Sequence, residues 1–201
     1  MKKGFSLPIW VAGAAKSAVC NLLDLPFKSH EIIKIPENDA RLKVKIHSAA
    51  FIKNKSGSLA ITFADSGLDL DLTQNLEIWV LASFQANSAN KSLNDALQIT
   101  AGYGVGIHQK TLDICISSFA RLLLEENLNS LIPNNKKLNL EIIFPSGVFL
   151  AERTSNKSFG VVKGLSIIGT SAETYISASP DQLNSAKSKF DKILENNNDE
   201  L

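Results

Sequence analysis

An α+β fold with a mixed β-sheet and packed helices is what this sequence predicts, on three observations. Short runs of strand character recur between Glu31 and Phe144. Two stretches of helical length, one rich in alanine and one amphipathic, interrupt them or flank them. Loops rich in glycine or aspartate stand where strands should end. The order, strands in succession, then helix, strand, turn and strand, is that of an α+β domain rather than of alternating βα units.

The first stretch of helical length runs from Ile9 to Leu25 after Leu7-Pro8, with Ala and Gly placed along it so that another element can come close, and with Pro26 to stop it. Glu31 to Ile35 alternates weakly. Arg41 to His47 alternates strictly between charged and apolar residues, the mark of a half-exposed antiparallel strand. Asn54-Lys55-Ser56-Gly57 reads as the turn into a second strand, Leu59 to Phe63. Leu76 to Phe84 reads as a mostly buried strand with Trp79 as a large core residue, and Asn87 to Asn94 as an exposed connection. Leu97 to Thr100 is a short strand. Asp113 to Leu131 is the clearest amphipathic helix, with Ile116, Phe119, Leu123 and Leu131 on one face and Pro133-Asn134-Asn135 at its end. Leu138 to Phe144 alternates again as a strand. Ser179-Pro180-Asp181-Gln182 has the N-cap, first-turn proline and capping-box glutamine of a helix start, with Leu183, Phe190 and Ile193 on one face and a polar tail behind it. These features divide the chain into a domain over 1–178 and a helix and tail over 179–201.

Composition excludes several classes. At 201 residues, 44% hydrophobic and 20% charged, the chain is that of a globular protein with one good core or two small ones. Lys plus Arg number 21 against 20 Asp plus Glu, a balance that recruits neither nucleic acid nor an anionic membrane. Cys20 and Cys115 lie in apolar surroundings that suit buried free thiols. The three widely spaced histidines make no metal site. The N-terminal run with Pro8 and Lys16 fits an amphipathic helix better than a cleaved leader, and apolar runs fall short of a bilayer span, so the expected setting is the cytoplasm.

Three loops carry the candidate chemistry. One is acidic, Asp65-Ser66-Gly67-Leu68-Asp69-Leu70-Asp71 with Thr73 after it. The second is Gly102-Tyr103-Gly104-Val105-Gly106. The third is Asn156 to Ser171, where Gly160, Gly164 and Gly169 interrupt a β-rich run. Each cluster alone is more often turn chemistry than ligand chemistry, since Gly and Asp are the common turn formers. The glycine cluster opens no dinucleotide fingerprint and no phosphate loop, because the spacing of a third glycine and a following Gly-Lys-Ser/Thr are missing. Three special-backbone loops in one small domain are nevertheless expected to meet in one site. Gly164 and Gly169 bracket Leu165-Ser166-Ile167-Ile168, read as a central strand, and are expected to need positive φ or contact-distance backbone approach.

Taken together, these segments resemble the cobalt-precorrin-5B C(1)-methyltransferase family, CbiD. Gly4-Phe5-Ser6 with Ala14-Ala15-Lys16 resembles the family's opening, and Asp65-Ser66-Gly67 with Asp69, Asp71 and Thr73 resembles its acidic loop. Gly102 to Gly106 followed by Lys110 resembles its glycine segment. Asn156, Gly160-Val161-Val162 and Gly164 to Thr170 resemble its most specific stretch. Departures are Leu7, Pro8 and Trp10 in the opening, Leu68 and Leu70 in the acidic loop, and Ser117, Ser118 and Ala120 beside Ile116 and Arg121.

The resemblance implies the N-terminal domain fold of that family without its C-terminal Rossmann-like domain. It also implies transfer of a methyl group from S-adenosylmethionine to C1 of a cobalt-bound tetrapyrrole in anaerobic cobalamin synthesis. Such a transfer needs no covalent protein nucleophile, and no residue is assigned as catalytic. The donor- or substrate-binding candidates it implies are Asp65, Gly67, Asp69, Asp71, Thr73, Gly102, Gly104, Gly106, Lys110, Asn156, Gly160, Gly164, Gly169 and Thr170. Lys110 or Arg121 would add charge-assisted bonds to carboxylates. The aspartates serve either the donor or the turns of their own loop. Two rival readings are a non-catalytic binding module that needs a second-domain polypeptide in trans, and a site for a different anionic metabolite.

Overall fold

In the computed structural model, which describes residues 4–52, 54–67, 71–86, 96–174 and 188, a two-residue strand β1 (Gly4–Phe5) leads into helix α1 (Leu7–Leu22). The helix begins earlier than its apolar run suggests, because Pro8 sits in the first turn, where its missing N–H costs nothing. It also ends before Leu25 and Pro26: Leu23 caps it and Asp24 turns left-handed at φ 54°. α1 is buried almost all round. Gly13 faces Val44, and a Cβ at that position would overlap the valine side chain, so the small residues bring helix and strand into close approach as their pattern predicts.

β2 (His30–Lys34) and β3 (Arg41–Lys45) form an antiparallel pair of their own. Next come β4 (Ser48–Ile52), β5 (Gly57–Phe63), β6 (Glu77–Ala86) and β7 (Leu97–Ala101). β4, which the sequence pattern does not announce, pairs antiparallel with β5 across a turn in which Asn54 and Lys55 have φ of 54° and 67°. Two short strands, β8 (Gly104–Val105) and β9 (Ile107–His108), follow before α2 (Ser118–Leu128). α2 begins later than Asp113. Residues 113–117 are extended, Ile116 bridges to Ile167 instead of joining a helical face, and the Ser117 Oγ accepts the Ala120 N–H at 3.2 Å as a true N-cap.

β10 (Lys136–Ile143) then completes a five-stranded mixed sheet of order β4-β5-β6-β10-β7, in which only the β10–β7 pair is parallel. One face of that sheet presents Ile78, Val80, Leu138, Leu140 and Ile142, all at 0% exposure, to the core that α1 and α2 complete. Burying each such side chain contributes about 1.5–3 kcal/mol. Trp79 alternates onto the other face, half-buried, with its Nε1 donating to Glu77 Oε1 at 2.8 Å; it is not the core residue its size suggests.

The last described elements are a short helix α3 (Gly147–Ala151) and the strands β11 (Val161–Val162), β12 (Gly164–Leu165) and β13 (Glu173–Thr174). β12 pairs parallel with β8, β11 antiparallel with β9, and β13 antiparallel with β1. Leu165 to Ile168 is therefore not a central strand: only Gly164–Leu165 is laddered, and Ile168 is 61% exposed. The connection expected over 87–94 and the helix and tail expected over 179–201 lie outside the described residues, apart from residue 188.

Candidate functional site

The glycine loops are joined by backbone meeting backbone. Gly104 holds φ +78°, and a Cβ there would run into the Phe144 carbonyl; a Cβ on Gly164 would run into the carbonyl of Gly104 itself. Only a residue without a side chain fits either place. Around this crossing the stretch from Val161 to Thr174 is laced to remote parts of the chain. Gly106 N–H donates to Leu165 O at 2.7 Å, Ile167 N–H to Cys115 O at 2.8 Å, and Ser6 N–H to Ala172 O at 2.9 Å. Side chains add to this: Ser117 Oγ donates to Gly169 O at 2.9 Å, Ser6 Oγ to Ser171 O at 2.7 Å and Asn156 Nδ2 to Gly164 O at 3.2 Å. The expectation of contact-distance approach describes Gly164. At Gly169 the neighbour is looser, the Pro8 ring 3.2 Å from where a Cβ would be.

Two concavities flank the crossing. The smaller, about 570 Å³, brings together Asp71 and Thr73 from the acidic loop with Asn156, Gly169 and Thr170 from the last stretch. The larger, about 770 Å³, is walled by Thr100, Gly102, His108, Asp113, Arg121 and Lys163. Val105 lines the larger and Leu165 the smaller, and these two residues are partners in the β8–β12 pair, so a backbone wall stands between the concavities. The three loops thus meet at one end of the fold without sharing one cavity.

The remaining candidates have local roles. Asp65 Oδ1 accepts the Gly67 N–H at 3.0 Å and Gln74 Nε2 at 3.4 Å, an Asx turn in which Gly67 takes φ 73°. Asp71 Oδ1 accepts both the N–H and the Oγ1 of Thr73, at 2.7 and 2.8 Å, while its other oxygen has no partner among the described residues. Gly106 lies in the crossing, and Gly160 ends a helical turn at φ 71° with open space beside it. Lys110 is exposed in the turn after β9 and lines neither of these two concavities. Asp69 lies outside the described residues. Arg121 and Lys163 form no ion pair among the described residues and stand with Asp113 in the wall of the larger concavity.

Residue-pattern reasoning passed over Ser6, Phe159, Lys163 and Ile168, which the fold adds to these walls. Phe159 carried a signal, being a large apolar residue in a stretch otherwise built of turn formers, Asn156-Lys157-Ser158 and Gly160. Burial pushes the Glu31 carboxyl and the Cys20 thiol upward, against the lowering fields of Lys16 and Lys28, but these groups sit at α1 and β2, outside both concavities. Among the described residues no three His, Cys, Asp or Glu side chains are grouped to hold a metal ion, and no helix is long and apolar enough to cross a membrane.

A family model, CbiD, matches residues 1–175. The chain belongs to the CbiD family. Within it, the cobalt-precorrin-5B C(1)-methyltransferase of Prochlorococcus marinus subsp. pastoris strain MED4 is 61% identical over 198 residues, 98% of this chain and 53% of the relative. The proteins of the same name from Prochlorococcus marinus strains MIT 9515 and MIT 9312 are 62% and 60% identical over 96% and 98% of this chain, and 52% and 53% of their own length is covered. The chain spans about half the length of the curated relatives it matches, and corresponds to their N-terminal part. The crystal structure of a cobalamin biosynthesis protein, CbiD, from Archaeoglobus fulgidus shares the fold, with a TM-score of 0.60 at 20% identity over 93% of this chain and 58% of that one.

Proposed function

We propose that this CbiD chain takes part in methylation of cobalt-precorrin-5B at C1, with S-adenosylmethionine as donor, by holding a reactant in the smaller concavity. What carries the reading is the family match over residues 1–175 together with relatives about 60% identical that bear that enzyme's name. The concavity has the size and mixed lining of a small-molecule site.

Its residues fit the donor in kind. The Asp71 oxygen that has no partner among the described residues and the Thr170 hydroxyl offer hydrogen bonds to ribose or amino-acid groups, and Leu72 and Leu165 offer an apolar floor. S-adenosylmethionine supplies an electrophilic methyl group when bound. The work of this chain is positional: hydroxyls and a carboxylate on a rigid, laced backbone fix a reactant's orientation, which lowers the barrier without any protein nucleophile. In this reading the cobalt-bound tetrapyrrole, the larger reactant, takes the mouth of the concavity beside the donor. The extent of the relatives favours a second reading, that of a binding module which transfers no methyl group until a further polypeptide joins it.

One experiment tests the first reading and separates it from the second. Residues 1–174 of this chain, joined to the remaining part of the MED4 relative, are expected to move labelled methyl from S-adenosylmethionine to the corrinoid, and Asp71→Ala to reduce the rate at least tenfold. A folded chimera with no transfer, beside an active intact relative, would overturn the proposed function. Transfer by the chimera but not by this chain alone would establish the binding module.

A further inference from the structure

The larger concavity has no part in the proposed reaction, and its wall has a charge pattern of its own. Its apolar lining lies deep, with Ile99, Val105 and Ile107 buried, whereas His108, Asp113, Arg121 and Lys163 are exposed. Arg121 and Lys163 set two cations against the single carboxylate that this wall shows among the described residues, and neither is ion-paired with it. A concave site with an apolar interior and cations toward solvent suits a ligand with an apolar body and an anionic head.

Exposed cations occur elsewhere on the surface; what singles out these two is how the backbone holds them. Lys163 has φ 70°, a conformation that a lysine adopts only against strain. It is the one-residue link between β11 and β12, with Val162 paired to Ile107 on one side and Gly164 to Gly104 on the other, so neither neighbour can turn to relieve it. Among the described residues the left-handed positions not occupied by Gly, Asn or Asp are Lys55, Leu112 and Lys163, and the last two both line this concavity. Arg121 lies in the first turn of α2, where its N–H donates to Ser117 O at 3.0 Å while Ser117 Oγ ties that turn to Gly169 O at 2.9 Å. Strain held in a rigid frame marks a ligand clamp more than a loose turn.

We propose that Arg121 and Lys163 form a carboxylate site in the larger concavity, for an organic acid whose apolar body packs on Ile99, Val105 and Ile107. Arg121 presents the planar fork that matches a carboxylate, and Lys163 adds a point charge. Two sources share this chemistry, a free dicarboxylic acid and the carboxylate arms of a tetrapyrrole, and the test separates them. The inference does not rest on methyl transfer.

Amide shifts of the isotope-labelled chain, followed by two-dimensional NMR, test it with adipate and with the tetracarboxylate coproporphyrin as probes. A carboxylate probe is expected to move the amides of Gly102, Gly106 and Lys163 saturably, and the diamide of adipate to move none. Arg121→Gln and Lys163→Gln should each weaken binding at least tenfold, while Lys43→Gln, at an exposed position on β3, should leave it unchanged. Lys163→Gly removes the side chain and the strain together, so it is expected to bind at least tenfold more weakly with Tm equal to or above that of the parent. It also covers the case of a glutamine variant that does not fold. No saturable shift with either probe, or parent-like binding by Lys163→Gly or Arg121→Gln, would overturn the proposal. So would inorganic phosphate binding at the same amides as tightly as the better probe, which would reduce the site to general attraction of anions. Tighter binding of coproporphyrin than of adipate would make the ligand a tetrapyrrole arm, and the reverse order a free acid. No arm contains S-adenosylmethionine, so failure of the proposed methyl transfer leaves the result standing.

Discussion

The sheet body and the glycine end of this molecule are held together by different means. In the body, Ile78, Val80, Leu138, Leu140 and Ile142 are packed by side chains against a core that α1 and α2 complete. At the glycine end, Gly104, Gly147 and Gly164 press main chain on main chain, and hydrogen bonds over long sequence separations lace the contact shut. Side chains can shift rotamer or yield a few tenths of an ångström, whereas a carbonyl fixed in a ladder cannot. The difference teaches that small changes should be graded in the body and nearly all-or-none at the crossing, the place from which both concavities are hung.

Gly164→Ala carries the largest expected effect. The added methyl would sit inside the Gly104 carbonyl, so the β8–β12 pair must separate, and cooperative thermal unfolding should be lost or Tm should fall far below that of the parent. A melt within a few degrees of the parent would erase the contrast between the two regions. In the body, Leu140→Ala removes a fully buried side chain from the central strand pair and should cost about 2–5 kcal/mol in urea unfolding while leaving a single cooperative transition. Gly160→Ala sharpens the comparison from within the glycine end. That residue holds φ 71° with nothing near its missing side chain, so only backbone strain applies, about 1–2 kcal/mol by the same measurement. A loss as large as that of Gly164→Ala would mean that the glycine end responds as one unit and not through particular close approaches.

Much of the body was legible in the chain. Alternation located β3 and β10, and the turn before it β5, to within two residues, and the small residues of α1 announced its close packing. β4 was not legible, because Ser48-Ala49-Ala50-Phe51-Ile52 lacks alternation and is half-exposed on both faces. Helical spacing misled at Ile116, whose apolar side chain serves an extended segment bridged to Ile167. At the candidate site, glycines and aspartates were found by type, but their grouping was not: Asp71 and Thr170 meet across one concavity, while Gly102 and Arg121 wall the other.

The sequence by itself determined the class of fold and the family and singled out Gly164 as a place of close backbone approach, since these follow from local periodicity and from residue types that few conformations accept. Tertiary structure alone decided which glycine serves a close approach and which a left-handed turn, that the β8–β12 pair divides one expected site into two concavities, and that Phe159 and Ile168 line the smaller one while largely exposed. Those outcomes depend on pairings between segments tens of residues apart, such as Gly104 with Gly164 and Ser6 with Ser171, and no local pattern encodes which distant backbone a glycine will meet.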